Sequence, residues 1–274
     1  MMSINTTVKE FAKQRLGLAA VRVQTVKAMN TTGRHYCPIC ESNVRSFLSS
    51  GHPPRPNVQC PVCRSLSRHR LAWAFLAEQT NLLDESPKMM LHVAPEVSLT
   101  NRFKKIKNLE YLSADLDGSK AMVAMDLTDI HYPDNHFSAI YCSHVLEHII
   151  DDQRALSELY RVLKVDGWAF LQVPMSPGKT YEDFSITDPQ EREKHFGQWD
   201  HVRLCGSDYI ERISAAGFVV EECLLNLFQG VDQRRMELKG DQLSFCCRRL
   251  SSQETFEYRA ETSGCLASSA GLAP

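Results

Sequence analysis

Residues 126–174 read DLTDIHYPDNHFSAIYCSHVLEHIIDDQRALSELYRVLKVDGWAFLQVP, and this stretch decides the fold. Phe137 to Cys142 is an apolar-aromatic run of the length of a buried strand. Asp134-Asn135 before it is turn chemistry. Val145, Leu146 and Ile149 share one side of a helical turn. Asp151 or Asp152 is placed to cap a new helix, because a carboxylate there satisfies free backbone N–H groups. Leu156, Leu159, Val162 and Leu163 carry the apolar helical spacing onward. Asp166-Gly167 stops that helix, and Trp168 to Val173 reads as a second apolar strand. The whole is a strand–helix–strand unit of the size of a right-handed parallel crossover.

Working outward, Lys88-Met-Met-Leu-His-Val93 and Leu109 to Ala114 are further strands, separated by a helix around Leu99–Ile106, and Ala121 to Met125 is a short third segment. Gly206-Ser-Asp208 opens a helix that Ala216-Gly217 ends. Phe218 to Leu224 and Leu243 to Cys247 are the last two strands. The set Asp126-Leu-Thr, Tyr132-Pro-Asp-Asn-x-Phe137, Val145-Leu-Glu-His148, Glu158-x-x-Arg-Val-Leu-Lys164 and Gly167 before a strand ending at Pro174 resembles the second half of a class I S-adenosylmethionine-dependent methyltransferase domain of type 11. That resemblance implies an α/β, Rossmann-like sheet of seven strands over residues 87–248, with helices on both faces and the last two strands as an antiparallel edge pair.

The chain has 274 residues and a net charge of only −2, but the charge is unevenly placed. Residues 1–80 hold 11 Lys/Arg against 3 Asp/Glu, and the remainder 20 against 30. A basic lobe of this kind suits either an anionic ligand or its own acidic domain. No apolar run approaches the ~18 residues of a membrane span, and the first residues lack a secretory h-region. Residues 5–28 have helical apolar spacing interrupted by Gly17, and residues 251–274 are Ser/Ala/Thr-rich, as in a disordered tail. Ten cysteines without a secretory signal point to a reducing, cytoplasmic setting.

Four of those cysteines are patterned. Cys37-Pro-Ile-Cys40 and Cys60-Pro-Val-Cys63 are separated by nineteen residues, the spacing of a four-cysteine zinc site. Soft thiolates suit tetrahedral Zn²⁺, and four cysteine ligands leave no open position, so the reading is a structural zinc ribbon within residues 34–80, after an N-terminal helix in residues 1–33. Residues 49–57, SSGHPPRPN, form a hairpin or loop between the knuckles. A redox pair is the weaker reading. Arg68, His69 and Arg70 are either an anion-binding patch or a solvated first helical turn.

The resemblance also implies a cofactor site. Asp115, at the end of the second strand, accepts from ribose hydroxyls, and Asp126 with Leu127 flanks the adenine. Cys142, Ser143 and His144 end the strand beside the sulfonium. The usual acidic residue and alternating glycines are replaced by LHVAPEVS at 91–98, so that His92, Ala94 and Glu96 stand at the methionine end, Glu96 able to pair with the amino group. Residues 175–203 lack a clear period and match the region that shapes an acceptor pocket. His195-Phe-Gly-Gln-Trp-Asp-His-Val-Arg203 within it is dense in acid–base groups. His195 or His201 is the first candidate for a general base, with Asp200 as orienter, then His144, while Glu147 and His148 read as mainly structural.

The function expected is methyl transfer from S-adenosylmethionine to a small-molecule or glycan acceptor, with Zn²⁺ structural. The alternatives are an RNA methyltransferase gripping phosphates with its basic zinc module, less favoured because no basic run is interleaved with stacking aromatics, and a non-catalytic binding protein of the same fold.

Overall fold

A computed structural model describes residues 33–51, 53–222, 233–238 and 244–251. The expected N-terminal helix and the C-terminal tail beyond Ser251 lie outside them. Two compact units are present, one built on residues up to 79 together with 233–238 and the other on residues 80–222 and 244–251.

The first unit holds two small hairpins and a helix. β1 (His35–Cys37) pairs antiparallel with β2 (Ser42–Val44), and β3 (Leu48–Ser50) with β4 (Arg55–Gln59), which settles the intervening segment as a hairpin. Helix α1 (Ser67–Gln79) follows and starts four residues earlier than the apolar spacing suggests. Arg70 in it is fully buried, its guanidinium 3.7 Å from the Phe47 ring centre. It donates to the carbonyls of Val58 and Ser65 and, through Nε, to Met236 at 2.8 Å. Its three carbonyl acceptors engage Nε and Nη1, while Nη2 is buried without a partner among the described residues; with His69 buried as well, the reading of residues 68–70 as an anion patch does not hold for either of them.

The second unit is organised by one seven-stranded sheet. Its strands are β5 (Lys88–Val93), β6 (Leu109–Asp115), β7 (Val123–Ala124), β8 (Phe137–Ser143), β9 (Leu163–Gln172), β12 (Val219–Glu222) and β13 (Ser244–Arg248), in the order β12-β13-β9-β8-β5-β6-β7. The run from β9 to β7 is parallel, and β13 is antiparallel to both β9 and β12. Between the two chain directions from β5, the order reverses at β5/β8, the switch point where open α/β sheets bind ligands beyond their carboxyl ends.

Helices α2 (Val97–Phe103), α3 (Asp152–Val162) and α5 (Tyr209–Ala215) cover the sheet. Strand alternation divides it into two faces. Leu91, Val93, Ile140 and Cys142 join Leu156, Leu159, Tyr209 and Ile213 in one core. His92 and Tyr141, on the other face, pack with Phe103 of α2, and Tyr141 stacks on Phe170 at 5.3 Å. Helices therefore cover both faces, as expected.

Asp151 is the cap of α3, accepting from the Arg154 N–H at 3.0 Å. Asp152 is used differently and is buried. The helix gives way directly to β9 at Leu163, five residues before the strand expected from Trp168. Asp166-Gly167 does not stop the helix; it marks an irregularity in the β8–β9 ladder, with Asp166 at φ 62°. A Cβ on Gly167 would lie 3.0 Å from the Ser138 carbonyl oxygen of β8 and 2.8 Å from that of Lys164, so glycine is required there by close backbone approach.

Residues 175–203 carry more structure than their composition suggests. α4 (Pro189–Phe196) has Asp188 as N-cap, accepting from Gln190 and Glu191 N–H groups, proline at its start and Gly197 at φ 84° after its end. β10 (Tyr181–Glu182) pairs with β11 (Arg203–Leu204). A short helix α6 (Gln233–Met236) belongs to the first unit. No helix among the described residues is long and apolar enough to cross a membrane.

Candidate functional site

At the carboxyl ends of β5, β6 and β8 the second unit opens into a cleft of about 660 Å³, a size suited to a small ligand. Its lining includes Val93, Ala94, Asp115, Asp126, Leu127 and His144, with His148 and Asp200 also contributing. Ala94 follows β5 at φ 47°, so the loop keeps the left-handed backbone that a glycine would favour, at a residue for which it is strained. Asp115 accepts from the Asp117 N–H at 2.8 Å through Oδ1. Asp126 accepts from Thr128 N–H and Oγ1, both at 2.8 Å and both on Oδ1, and these bonds hold its carboxyl below the usual range. In each case the structure gives a partner to Oδ1 and shows none for Oδ2 among the described residues.

Other expected cofactor residues lie elsewhere. His92 is fully buried on the opposite face of β5, with Nδ1 2.9 Å from the Tyr111 hydroxyl and Nε2 2.8 Å from Glu96 Oε2. Strand alternation turns His92 away while Val93 and Ala94 meet the cleft, and the pairing draws Glu96 back to His92 rather than to an amino group. Ser143 is buried and donates to Gln172 at 2.8 Å.

The expected acid–base groups also separate. His195 is exposed on α4. His201 is buried, its Nδ1 3.0 Å from the Phe196 carbonyl oxygen, its ring edge-on to His148, and burial pushes its imidazole below the ordinary value. Asp200 lines the cleft, with Oδ2 3.4 Å from His148 Nδ1. His144 lines it at φ 56°, a strained conformation for a residue with a side chain, and its Nδ1 lies 3.2 Å from Oε1 of the fully buried Glu147. Arg203, read with this run, is structural: it is fully buried and donates to the carbonyls of Leu146, Ile149 and Ile150 and to Glu182. It thereby fixes the 3₁₀ turn Leu146–His148 that presents Glu147 and His148. Asp152, 3.5 Å from Arg203 Nε, ties the same network to Tyr209 and Arg212 of α5.

Cleft residues that the sequence did not assign to the cofactor or the chemistry are Leu116, Asp117, Lys120, Met125, Val145 and Ile149, and His148, read as mainly structural, lines it as well. Asp117 could have been suspected from the turn sequence Asp117-Gly118 after β6. His148 lay within the quoted stretch, but its direction is set by the Arg203 clamp from more than fifty residues away.

In the first unit the four patterned cysteines converge. Cys37 Sγ is 3.7 Å from Cys63 Sγ, Cys40 Sγ is 3.8 Å from Cys60 Sγ, and all four sulfurs lie within 4.8 Å of one another. Four thiolates around one Zn²⁺, at about 2.3 Å each, would be separated by about 3.8 Å, so the donor set and spacing fit that ion. Hydrogen bonds from Cys40, Cys60 and Cys63 push the Cys37 thiol down, and the same cluster pushes Cys60 and Cys63 up. A divalent cation removes that conflict by letting every sulfur carry its charge.

Residues 76–171, about a third of the chain, match the family described as "Methyltransferase domain". No curated protein matches the chain. Among solved structures, a Bacillus halodurans protein provisionally named a methyltransferase aligns over 66% of this chain and 99% of its own, at 17% identity and TM-score 0.45. A Burkholderia thailandensis 1,6-didemethyltoxoflavin-N1-methyltransferase, solved with 1,6-didemethyltoxoflavin and S-adenosylhomocysteine, aligns over 68% of this chain and 79% of its own, at 14% identity and TM-score 0.44. A chain from a Haloferax volcanii complex of the Trm112 methyltransferase activator with a methyltransferase aligns over 68% and 94%, at 14% identity and TM-score 0.44. The strand order gives the second unit a Rossmann-like sheet, and most of its parallel strands fall within the stretch that matches a methyltransferase domain.

Proposed function

We propose that the cleft at the ends of β5, β6 and β8 binds S-adenosylmethionine and that the protein transfers its methyl group to a small-molecule or glycan acceptor. The observation that carries this is the placement of Asp115 and Asp126 in one cleft at the switch point of a sheet whose sequence matches a methyltransferase domain. Asp115 would take the ribose hydroxyls and Asp126 the exocyclic amine, each through the oxygen not already held by its own loop. Leu127 and Val93 supply apolar walls. Bound there, S-adenosylmethionine supplies an electrophilic methyl group for in-line attack. The chain's own part is to hold two reactants in contact, which can supply several kcal/mol.

For a hydroxyl or protonated amine acceptor, a base is needed. His144 is the group on the cleft wall with a carboxylate behind it, Nδ1 lying 3.2 Å from Glu147 Oε1. With the proton on Nδ1 the base would be Nε2, which is buried and has no partner among the described residues, so an acceptor must reach it by displacing part of the wall. Glu147 is thus a positioning residue. Asp200 and His148 complete the polar rim for an acceptor. The four-cysteine cluster would hold Zn²⁺ as a structural ion. Calorimetric titration with S-adenosylhomocysteine tests the reading: saturable one-site binding that Asp115→Ala abolishes supports it, and no binding by folded protein removes it.

A further inference from the structure

Glu147 and His148 follow each other on the 3₁₀ turn, and His201 reaches them from the loop between α4 and β11. One ligand-type atom from each lies within 4.8 Å of the other two. Both imidazoles set Nδ1 against an oxygen. His201 Nδ1 is 3.0 Å from the Phe196 carbonyl oxygen, and His148 Nδ1 is 3.2 Å from the Asp200 carbonyl oxygen and 3.4 Å from its carboxylate. An oxygen at each Nδ1 fixes the N–H there and leaves the Nε2 lone pair free, which is the support that metal-binding histidines receive from their surroundings. His148 Nε2 is 4.0 Å from Glu147 Oε1.

Glu147 supplies the second line of evidence. Its side chain has no solvent exposure, and Oε2 has no hydrogen-bond partner among the described residues. A buried carboxylate oxygen without a partner is costly, and a cation is the usual answer. Arg203, the guanidinium that clamps the same turn, spends its donors on the surrounding carbonyls and on Glu182.

We propose that Glu147, His148 and His201 form a binding site for a divalent transition-metal ion, separate from the four-cysteine cluster. Two imidazoles and one carboxylate suit Zn²⁺, Fe²⁺, Co²⁺ or Mn²⁺ rather than Ca²⁺ or Mg²⁺. With metal–nitrogen bonds of about 2.1 Å, tetrahedral ligand atoms lie about 3.4 Å apart, so the three side chains, whose ligand atoms now lie within 4.8 Å of one another, must close by up to about 1.4 Å on binding. Three protein ligands leave positions for water or an acceptor oxygen, and His148 already lines the cleft. Oε1 of Glu147 still serves His144. The site rests on ligand geometry and does not depend on the methyl-transfer reading.

The test uses the full-length protein carrying zinc in its cysteine cluster, titrated with Co²⁺ after removal of loosely held metal. One further equivalent is expected, with weak d–d absorption and none of the intense thiolate-to-cobalt bands of a cysteine site. His201→Gln and Glu147→Gln are expected to weaken it at least tenfold, with S-adenosylhomocysteine titration and the melting temperature recording whether each variant remains folded. His148→Gln serves if either does not fold. Uptake of no second equivalent by the wild-type protein, cobalt bound only with thiolate bands, or uptake unchanged in the folded variants overturns the site. Since cofactor binding is read separately, its loss would count against the methyltransferase reading and not against the metal site.

Discussion

His92 Nε2 lies 2.8 Å from Glu96 Oε2, and this pair fastens the loop that occupies the place of a glycine-rich turn. The contact turns two residues expected at the cofactor into bracing beneath it. Glu96→Gln is therefore expected to leave S-adenosylhomocysteine affinity within about twofold. Asp115→Ala should lower it by at least tenfold, since a hydrogen bond to a charged group contributes about 1.5–3 kcal/mol. Calorimetry on the two variants checks both, and a large loss from Glu96→Gln would place that carboxylate back in the cleft.

Arg203 is the clamp of the 3₁₀ turn. Arg203→Lys retains the charge but not the planar fork that reaches three carbonyls at once. Leaving those carbonyls and Asp152 poorly paired should cost about 3 kcal/mol, or roughly 6–12 °C in melting temperature for a domain of this size. A thermal shift of only a degree or so would mean that the turn holds without it.

Cys60→Ser removes one of four convergent sulfurs. The zinc content of purified protein, measured by mass spectrometry, should fall from one equivalent to well below half. Residues 33–79 should then become the first to be cut in limited proteolysis, because binding energy in such a site is folding energy. Retained zinc with unchanged protection would exclude a structural role for the ion.

Glu158 couples stability to pH. The Arg161 guanidinium beside it holds its carboxyl at about 2, with help from the Ile130 N–H at 2.9 Å. The folded value is depressed, so this contribution is complete above the ordinary glutamate range and is lost as pH falls from about 4.5 toward 2. Allowing for the partly exposed Arg161, it is ~2 kcal/mol. Denaturant melts should show Glu158→Gln less stable than wild type at pH 7 by about that amount, the gap narrowing as the pH is lowered through that window. A gap independent of pH would assign the loss to packing.

Much of the fold could be read from local pattern. Apolar runs marked β5, β6 and β8, and the carboxylates at the ends of β6 and β7 fell into one cleft because parallel strands place their carboxyl ends together. The cysteine knuckles were legible because a site of four thiolates around one ion demands paired cysteines at close spacing, and the four sulfurs do converge. What escaped was set by distant partners. The choice between Asp151 as cap and Asp152 as an anchor for Tyr209 and Arg212 depends on α5, almost sixty residues on. His92 was placed at the cofactor by position in the run, while strand alternation sends it to the other face. Helix α4 did carry its own signals, Asp188, Pro189 and Gly197, but its charged sequence lacks the apolar period by which helices are sought.

The bond from Arg70 to the Met236 carbonyl has a consequence for how the protein is made. The cysteine-bearing unit is encoded first, yet its buried guanidinium waits for a residue more than one hundred and sixty positions later. During synthesis from the N-terminus, that unit cannot reach its final form until the sheet of the second unit has almost wholly emerged. A fragment ending at residue 79 would own every metal ligand of the four-cysteine cluster and still be unfinished, so excision of this region for study should retain, or supply as a peptide, the segment around 233–238.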